Sequence, residues 1–184
     1  MVDATRLILR WPTTVHVWRT FGRADSGVLR YGFMHKDGVR DDAVNTVHPH
    51  YGVGYVLRGS GVYHDAAGKS WPMAPGTVFQ RIPGRRHSTI LDPTSRWAEC
   101  YLGFGAELAR SLIEADVIDP DRPVIGRALD LQLAERVLSG LVSLRVAGAA
   151  DLPREFGHML ALLGDLMRVP SSPIGSDERL VAEA

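Results

Sequence analysis

The sequence predicts a mainly β fold, with a small barrel in residues 1–105 followed by a helical region in residues 106–170. Two observations predict this division. Before residue 105 the chain consists of short runs of alternating apolar and polar residues, separated by Gly, Pro and Asp, as in barrels and sandwiches. After residue 105 the apolar residues recur at the three- and four-residue spacing of amphipathic helices.

The short runs predict the strands of the barrel. Between them lie turn-forming pairs such as Pro83-Gly84 and Asp92-Pro93, because Gly and Pro favour tight reversals of the chain. The predicted strands cover residues 13–19, 54–57, 61–64, 70–73, 77–82, 87–91 and 97–104.

Helices are predicted after the barrel. The first covers residues 106–115 and is followed by a proline-containing break at 119–123. The second covers residues 130–146 and places its apolar side chains along one stripe. The third covers residues 151–168, and we expect Asp151 to cap its N-terminus.

The composition limits the kinds of partner and compartment. The 184 residues include 21 basic and 21 acidic side chains, so no strong field attracts nucleic acid or an anionic membrane. Cys100 is the only cysteine, which excludes a disulfide within the chain and favours a reducing compartment. The N-terminus lacks the apolar segment of a signal peptide, and no apolar run is long enough to span a bilayer. We therefore expect a cytoplasmic protein.

One segment of the barrel half carries a specific motif. Gly76 opens a strand, a Pro-Gly turn follows at 83–84, and His87 starts the next strand. This spacing resembles the second conserved motif of the cupin superfamily, and the His-Pro-His sequence at 48–50 resembles the first motif. The resemblance covers roughly residues 45–105 and implies a cupin-like double-stranded β-helix, or jelly-roll, barrel.

The cupin resemblance makes His48, His50 and His87 candidate metal ligands. Cupin enzymes bind a metal through such histidines and a Glu, and three imidazoles with a carboxylate suit a divalent cation. Here the Glu is missing, because residues 51–55 read Tyr-Gly-Val-Gly-Tyr. One interpretation is a metal-dependent cupin enzyme, such as a dioxygenase or isomerase. The other, which we favour, is a protein without metal or cofactor in which these histidines line a pocket or belong to loops and strands.

The order of elements is similar to that of the arabinose-regulator (AraC/XylS) family of transcription regulators. In that family a cupin barrel is followed by a pair of dimerising helices, a linker and a DNA-binding domain with two helix-turn-helix units. Residues 171–184 look like the linker and the first turns of that DNA-binding domain. The resemblance implies an effector-binding barrel at 1–105 and a dimerisation region at 106–170. It implies that the protein is not an enzyme, and that it contacts DNA only through a domain absent from this chain.

In this family the effector, often a sugar, binds inside the barrel. By the resemblance, His48 stands where the arabinose sensor has a sugar-contacting Arg, Glu99 replaces a pocket His, and Tyr101 replaces a pocket Trp. Strand alternation places Trp97 on the same face as Glu99 and Tyr101, and such a face suits a sugar. The resemblance further implies an N-terminal arm that closes over the ligand, for which Trp11 is the candidate.

The pocket assignment has an alternative. Trp97 and Tyr101 can belong to the core while Glu99 points to solvent, and Trp11 can be a core residue. An inward Glu99 needs a partner, since an unpaired buried charge is costly. Arg58, Arg81 or a ligand are the candidates.

The third predicted helix has two faces that suit a homodimer. The expected dimer interface is an apolar stripe made of Phe156, Leu160, Leu163 and Met167. An adjacent stripe of small residues consists of Gly157, Ala161 and Gly164. Glycine within a helix costs roughly 0.5–1 kcal/mol relative to alanine, so the small stripe implies that another helix approaches closely. That helix belongs either to a partner chain, as the family implies, or to residues 130–146 of the same chain.

Overall fold

The computed structural model describes residues 4–20, 22 and 27–168, and it confirms the predicted mainly β fold with helices after the barrel. The strands are β1 Val15–Thr20, β2 Val28–Lys36, β3 Asp41–Val47, β4 Tyr51–Arg58, β5 Gly61–Asp65, β6 Ser70–Met73, β7 Val78–Arg81, β8 Arg86–Leu91, β9 Trp97–Phe104 and β10 Val124–Ile125. The helices are α1 Ala4–Leu9, α2 Ala106–Glu114, α3 Leu131–Val146 and α4 Leu152–Met167. The predicted linker and helix start at 171–184 lie outside the described residues.

The strands form two antiparallel sheets that pack face to face. The larger sheet has the order β1-β2-β9-β4-β7-β10, and the smaller has the order β3-β8-β5-β6. In the larger sheet β9 lies between β2 and β4, with Tyr101 opposite Gly32 on one side and Gly54 on the other. Strands that are far apart in sequence therefore contribute neighbouring side chains.

The two faces of the larger sheet have different neighbours. Because successive side chains of a strand point to opposite faces, Leu29, Tyr31 and Phe33 of β2 point together into a core shared with the helices. The alternate residues, among them Arg30 and Lys36, point towards the smaller sheet. One face thus holds the helices, and the other face bounds the barrel interior.

The helices lie on the outer face of the larger sheet. Asp130 caps α3, since its Oδ1 accepts hydrogen bonds from the amides of Gln132 at 2.9 Å and Leu133 at 3.2 Å. The expected cap of α4 is wrong: Asp151 bonds none of its amides, and Oδ2 accepts the Gly148 amide instead. The carboxylate thus bonds at the start of the short 3₁₀ turn Ala149–Asp151, which precedes α4, and not at the start of α4 itself. Within the described part of the chain, no helix is long and apolar enough to cross a membrane.

Candidate ligand-binding cavity

A cavity of about 140 Å³ lies inside the barrel, on the face of the larger sheet that is away from the helices. Its walls come from the inward-facing positions of β2, β4, β7 and β9, with further side chains from β1 and the segment after β3. The side chains and glycines that line it are His16, Arg30, Met34, His48, His50, Tyr51, Gly52, Val53, Gly54, Phe79, Arg81, Glu99, Tyr101 and Gly103.

Glycines on the inward face of the strands make room for the Phe79 ring and for the cavity. A Cβ added at Gly54 would lie 2.5 Å from the Phe79 ring, so the ring occupies the volume that a side chain would need. A Cβ added at Gly52 would meet nothing closer than the Arg81 Cβ, at 4.0 Å. Gly52 therefore faces open space, and a side chain placed there would enter the cavity.

Glu99 lies in the wall of the cavity and is 1% exposed. Its Oε1 accepts a hydrogen bond from Lys36 Nζ at 2.9 Å, and its Oε2 accepts one from Trp97 Nε1 at 2.6 Å. The alternative in which Glu99 points to solvent is wrong. The partner is Lys36, whereas sequence reasoning named Arg58, Arg81 or a ligand; Arg58 instead bonds the Arg96 carbonyl.

The Lys36–Glu99 pair belongs to a longer charge network that joins the two sheets. Lys36 Nζ also contacts Asp42 Oδ1 at 2.9 Å, and Asp42 Oδ2 accepts from both Arg81 and Thr89 at 2.8 Å. Burial tends to raise the pKa of Asp42, but Lys36 and Arg81 outweigh it and hold that pKa below its ordinary value. Asp42 is therefore ionised at neutral pH and neutralises both cations in part.

The candidate histidines lie close together on one side of the cavity. His48 and His50 line it, and the His87 ring stacks behind His48 at a centroid distance of 5.2 Å. On its other side His87 stacks on Tyr63 at 5.6 Å. Burial, together with the charge of Arg81, lowers the pKa of His87 to about 4, and burial also lowers the pKa of His48.

The histidines do not fit the metal site of the cupin enzymes. Among the described residues, no group of three His, Cys, Asp or Glu side chains is arranged to share a metal ion. His87 stacks on His48 and Tyr63 rather than joining the other two histidines around a common point. The donor set therefore gives no geometric support to the metal-enzyme interpretation.

Tyr101 and two residues that sequence reasoning missed, His16 and Arg30, also line the cavity. The Tyr101 hydroxyl lies 2.8 Å from His16 Nδ1. Burial raises the pKa of Tyr101, although the nearby charge of Arg30 opposes the rise. The alternation of Leu29, Tyr31 and Phe33 around Arg30 is the sequence signal that could have placed Arg30 on an inward face.

Comparison with known proteins places the chain in a family. The family model of the AraC-like ligand binding domain matches residues 35–180. The chain belongs to this family. Among solved structures, the AraC-like transcriptional activator CuxR has a TM-score of 0.51 at 15% identity, covering 94% of this chain and 68% of that one.

Other solved structures are similar to part of the chain. A cupin 2 conserved barrel domain protein from Salinispora arenicola CNS-205 has 15% identity and a TM-score of 0.38, covering 55% of this chain and 84% of its own. The cupin domain of Cnp3 from Schizosaccharomyces pombe also has 15% identity and a TM-score of 0.38, covering 59% and 74%. No curated protein matches the chain. The family assignment makes the chain a regulator-type ligand-binding domain.

Within this AraC-like domain the structure corrects two predicted ligand contacts. Trp97 is 1% exposed and does not line the cavity; it lies beneath it and donates to Glu99. Trp11 stacks on Phe33, whose side chain points into the core beside the helices. Trp11 is therefore separated from the cavity by the larger sheet, and the expectation that it covers the ligand is wrong.

The predicted dimer face of α4 also needs correction. Leu163 is fully buried in the core of its own chain, while Phe156 and Met167 partly cover that core. The small stripe lies on the other side of α4: a Cβ added at Gly157 or Gly164 would find no atom within 4 Å beyond its own helix. α3 of the same chain therefore does not pack on Gly157 or Gly164, whereas Ala161 lines a groove that it shares with Ser139 and Ser143 of α3.

Proposed function

We propose that this chain is the effector-sensing and dimerisation part of a bacterial AraC-family transcription regulator. Its barrel binds a small polar metabolite, which we propose to be a sugar or sugar derivative. Binding controls DNA recognition by helices outside this chain. The chain acts as a receptor and not as an enzyme.

The observation that carries this proposal is a set of buried nitrogen atoms around the cavity. His48 Nε2, His50 Nδ1, Arg30 Nε and Arg81 Nε are buried and have no hydrogen-bond partner among the described residues. Buried polar groups are nearly always paired, and leaving one unpaired costs about 1–3 kcal/mol. A ligand with several oxygen atoms would pair with these nitrogens, so the cavity is suited to bind a polar molecule.

The size of the cavity supports a small ligand. Its volume of about 140 Å³ is below the roughly 300–1,000 Å³ of pockets that hold drug-sized molecules. The mixture of the Tyr101 and Phe79 rings with polar groups suits a molecule that has both C–H faces and hydroxyls. A single sugar ring meets both requirements.

A thermal-shift screen with pentoses, hexoses and uronic acids tests the proposal. A ligand that binds only the folded state raises the melting temperature. In Gly52→Leu the new side chain enters the cavity, so we expect the shift to disappear while the protein stays folded. Gly126→Leu is the matched control, because Gly126 lies outside the cavity and a Cβ there meets nothing within 4 Å. It should respond like the wild type.

Two outcomes would count against the proposal. If Gly52→Leu and the wild type respond equally to a compound, that compound binds elsewhere and the barrel is not its site. If no compound of this kind shifts the wild type, the sugar assignment is wrong.

We further propose that the chain dimerises through the outward face of α4. All three residues of the small stripe are exposed, a Cβ at Gly157 or Gly164 would meet nothing within 4 Å beyond its own helix, and Leu160 beside them is only half-buried. A partner helix could approach this face closely, because Gly157 and Gly164 have no side chains to hold it away. Leu160 replaces Leu163 in this interface, since Leu163 belongs to the core.

A further inference from the structure

The charges around the cavity do not cancel. Three cations, Arg30, Lys36 and Arg81, face two carboxylates, Asp42 and Glu99. Lys36 contacts both carboxylates, and Arg81 pairs with Asp42. Within the described part of the chain, no carboxylate lies within ion-pair distance of Arg30. One positive charge is therefore left over beside the cavity.

Arg30 is held at this position by β2. Its neighbours Leu29 and Tyr31 are anchored in the core beside the helices, at 1% and 0% exposure, so the Arg30 side chain emerges on the opposite, inward face. There it lines the cavity together with His16 and Tyr101, and its Nε is buried without a hydrogen-bond partner. The guanidinium also hydrogen-bonds the Tyr101 hydroxyl, so it is the Nε side of the group that is available to a bound molecule.

The other unpaired nitrogen atoms of the cavity also favour a ligand that accepts hydrogen bonds. Glu99 is the only carboxylate that lines the cavity within the described residues, and both its oxygens already accept hydrogen bonds. Arg81 Nε can only donate, and an imidazole nitrogen of His48 or His50 can donate in the appropriate tautomer. A second observation also indicates a positive field in the cavity: burial and the charge of Arg30 lower the pKa of both His16 and His48.

We propose that the effector is a monoanionic, hydroxylated carboxylic acid of sugar size, such as a uronic acid, whose carboxylate binds Arg30. The inference rests on the proposed function and narrows its ligand class. A guanidinium binds a carboxylate in a two-pronged, charge-assisted geometry. A neutral sugar would leave the cation of Arg30 partly desolvated without a counter-charge, which is costly.

The single excess charge favours a carboxylate over a phosphate ester. A carboxylate contributes one negative charge and cancels the excess. A phosphate monoester carries about −1.5 to −2 at neutral pH, so part of its charge would stay uncompensated in a partly buried site. The cavity, at about 140 Å³, also leaves little room for a phosphate group attached to a sugar ring.

Isothermal titration calorimetry at neutral pH tests this inference with matched probes. D-glucuronate and D-galacturonate are compared with D-glucose and D-galactose, and D-glucose 6-phosphate represents the phosphate esters. We expect at least one uronate to bind at least about tenfold more tightly than its neutral counterpart and the phosphate ester. Arg30→Gln should weaken uronate binding about 10- to 100-fold, and Arg30→Lys should retain part of it. Arg86→Gln removes an exposed charge outside the cavity and should change nothing.

The outcomes separate this inference from the proposed function. Equal binding of the neutral sugars, tighter binding of the phosphate ester, or no binding of either uronate would each overturn the carboxylate assignment. Binding that Gly52→Leu abolishes but Arg30→Gln leaves unchanged would overturn the role of Arg30 and leave the barrel as the sensing site. Uronate binding that neither variant weakens would overturn both proposals. Comparison of the melting curves of the two Arg30 variants shows whether a loss of binding reflects unfolding.

Discussion

His87 shows how a buried titratable residue connects stability to pH. The side chain is 1% exposed, and neither ring nitrogen has a hydrogen-bond partner among the described residues. Burial first, and then the charge of Arg81, lowers its pKa from 6.5 to about 4. The folded protein therefore holds His87 neutral, stacked between His48 and Tyr63, and in the unfolded chain this residue takes up a proton more readily.

The free energy of unfolding should fall as the pH decreases from 6.5 to about 4, because the unfolded state binds more protons in this window. His87 accounts for at most about 3 kcal/mol of this loss. In His87→Phe, which keeps a ring in the stack, we expect a shallower loss on acidification. Urea unfolding at several pH values measures the slope. His64→Phe on β5 is the control, and a slope in His87→Phe equal to that of the control would contradict the interpretation.

At the scale of elements, α3 connects the helical region to the barrel. One face of α3, which includes Val137, Leu141 and Leu144, is buried in the core that also contains the outward-facing side chains of β2, β4 and β9. Two sets of hydrogen bonds at Asp130 fix the N-terminus of α3. Asp130 caps the helix with its carboxylate, and the Asp130 amide donates to the Tyr55 hydroxyl of β4 at 2.6 Å.

Loss of this cap should destabilise the whole domain, because α3 shares the barrel's core. We expect Asp130→Ala to lower the free energy of unfolding by about 1 kcal/mol, within the roughly 0.5–2 kcal/mol typical of N-caps. Asp130→Asn retains an oxygen acceptor and should stay close to the wild type. The urea midpoint of each variant gives the answer. A midpoint of Asp130→Ala equal to that of the wild type would show that the Asp130 side chain does not stabilise the helix start.

At the scale of the whole molecule, the larger sheet separates the cavity from α3 and α4. The cavity with Arg30 and Glu99 lies on its inner face, while α3 and α4 lie on its outer side, so alternate residues of single strands contact the cavity and the helical core. Tyr31, for example, follows Arg30 directly in β2, and its ring lies 2.6 Å from a Cβ built at Gly140 of α3. Adjacent residues of one strand thus contact the cavity and the helices.

The proposed dimer predicts the effect of a charge on the small stripe. Ala161 is exposed, so Ala161→Glu should leave the fold of the chain intact but place a carboxylate where the partner helix packs. We expect the wild type to be a dimer at micromolar concentration and the variant to shift towards monomer in sedimentation equilibrium. Ala66→Glu, in the exposed turn between β5 and β6, is the matched control. A monomeric wild type would refute the dimer, and a folded, dimeric Ala161→Glu would move the interface to another surface.

Local patterns in the sequence were enough for much of the fold. The runs from residue 54 to residue 104 and the helices after residue 105 were predicted because alternation, helical spacing and turn residues act over a few neighbours. β3 was missed because Asp41, Asp42 and Asn45 disfavour strands and Asn45 adopts a positive φ of 49° at an irregular pairing. β2 was missed despite its alternating pattern, and with it Arg30 and Lys36 were missed.

The order of barrel and helices, the family, and a barrel interior that includes His48, Glu99 and Tyr101 could be predicted from the sequence. The charge balance of that interior depends on the tertiary structure. Lys36 meets Glu99 across 63 residues because β2 pairs with β9 in the register that sets Met34 opposite Glu99. The same folding placed Trp11 against the core and Leu163 within it, away from the roles that their local patterns suggested. Strand pairing and burial depend on contacts between distant segments, so no short stretch of sequence contains them.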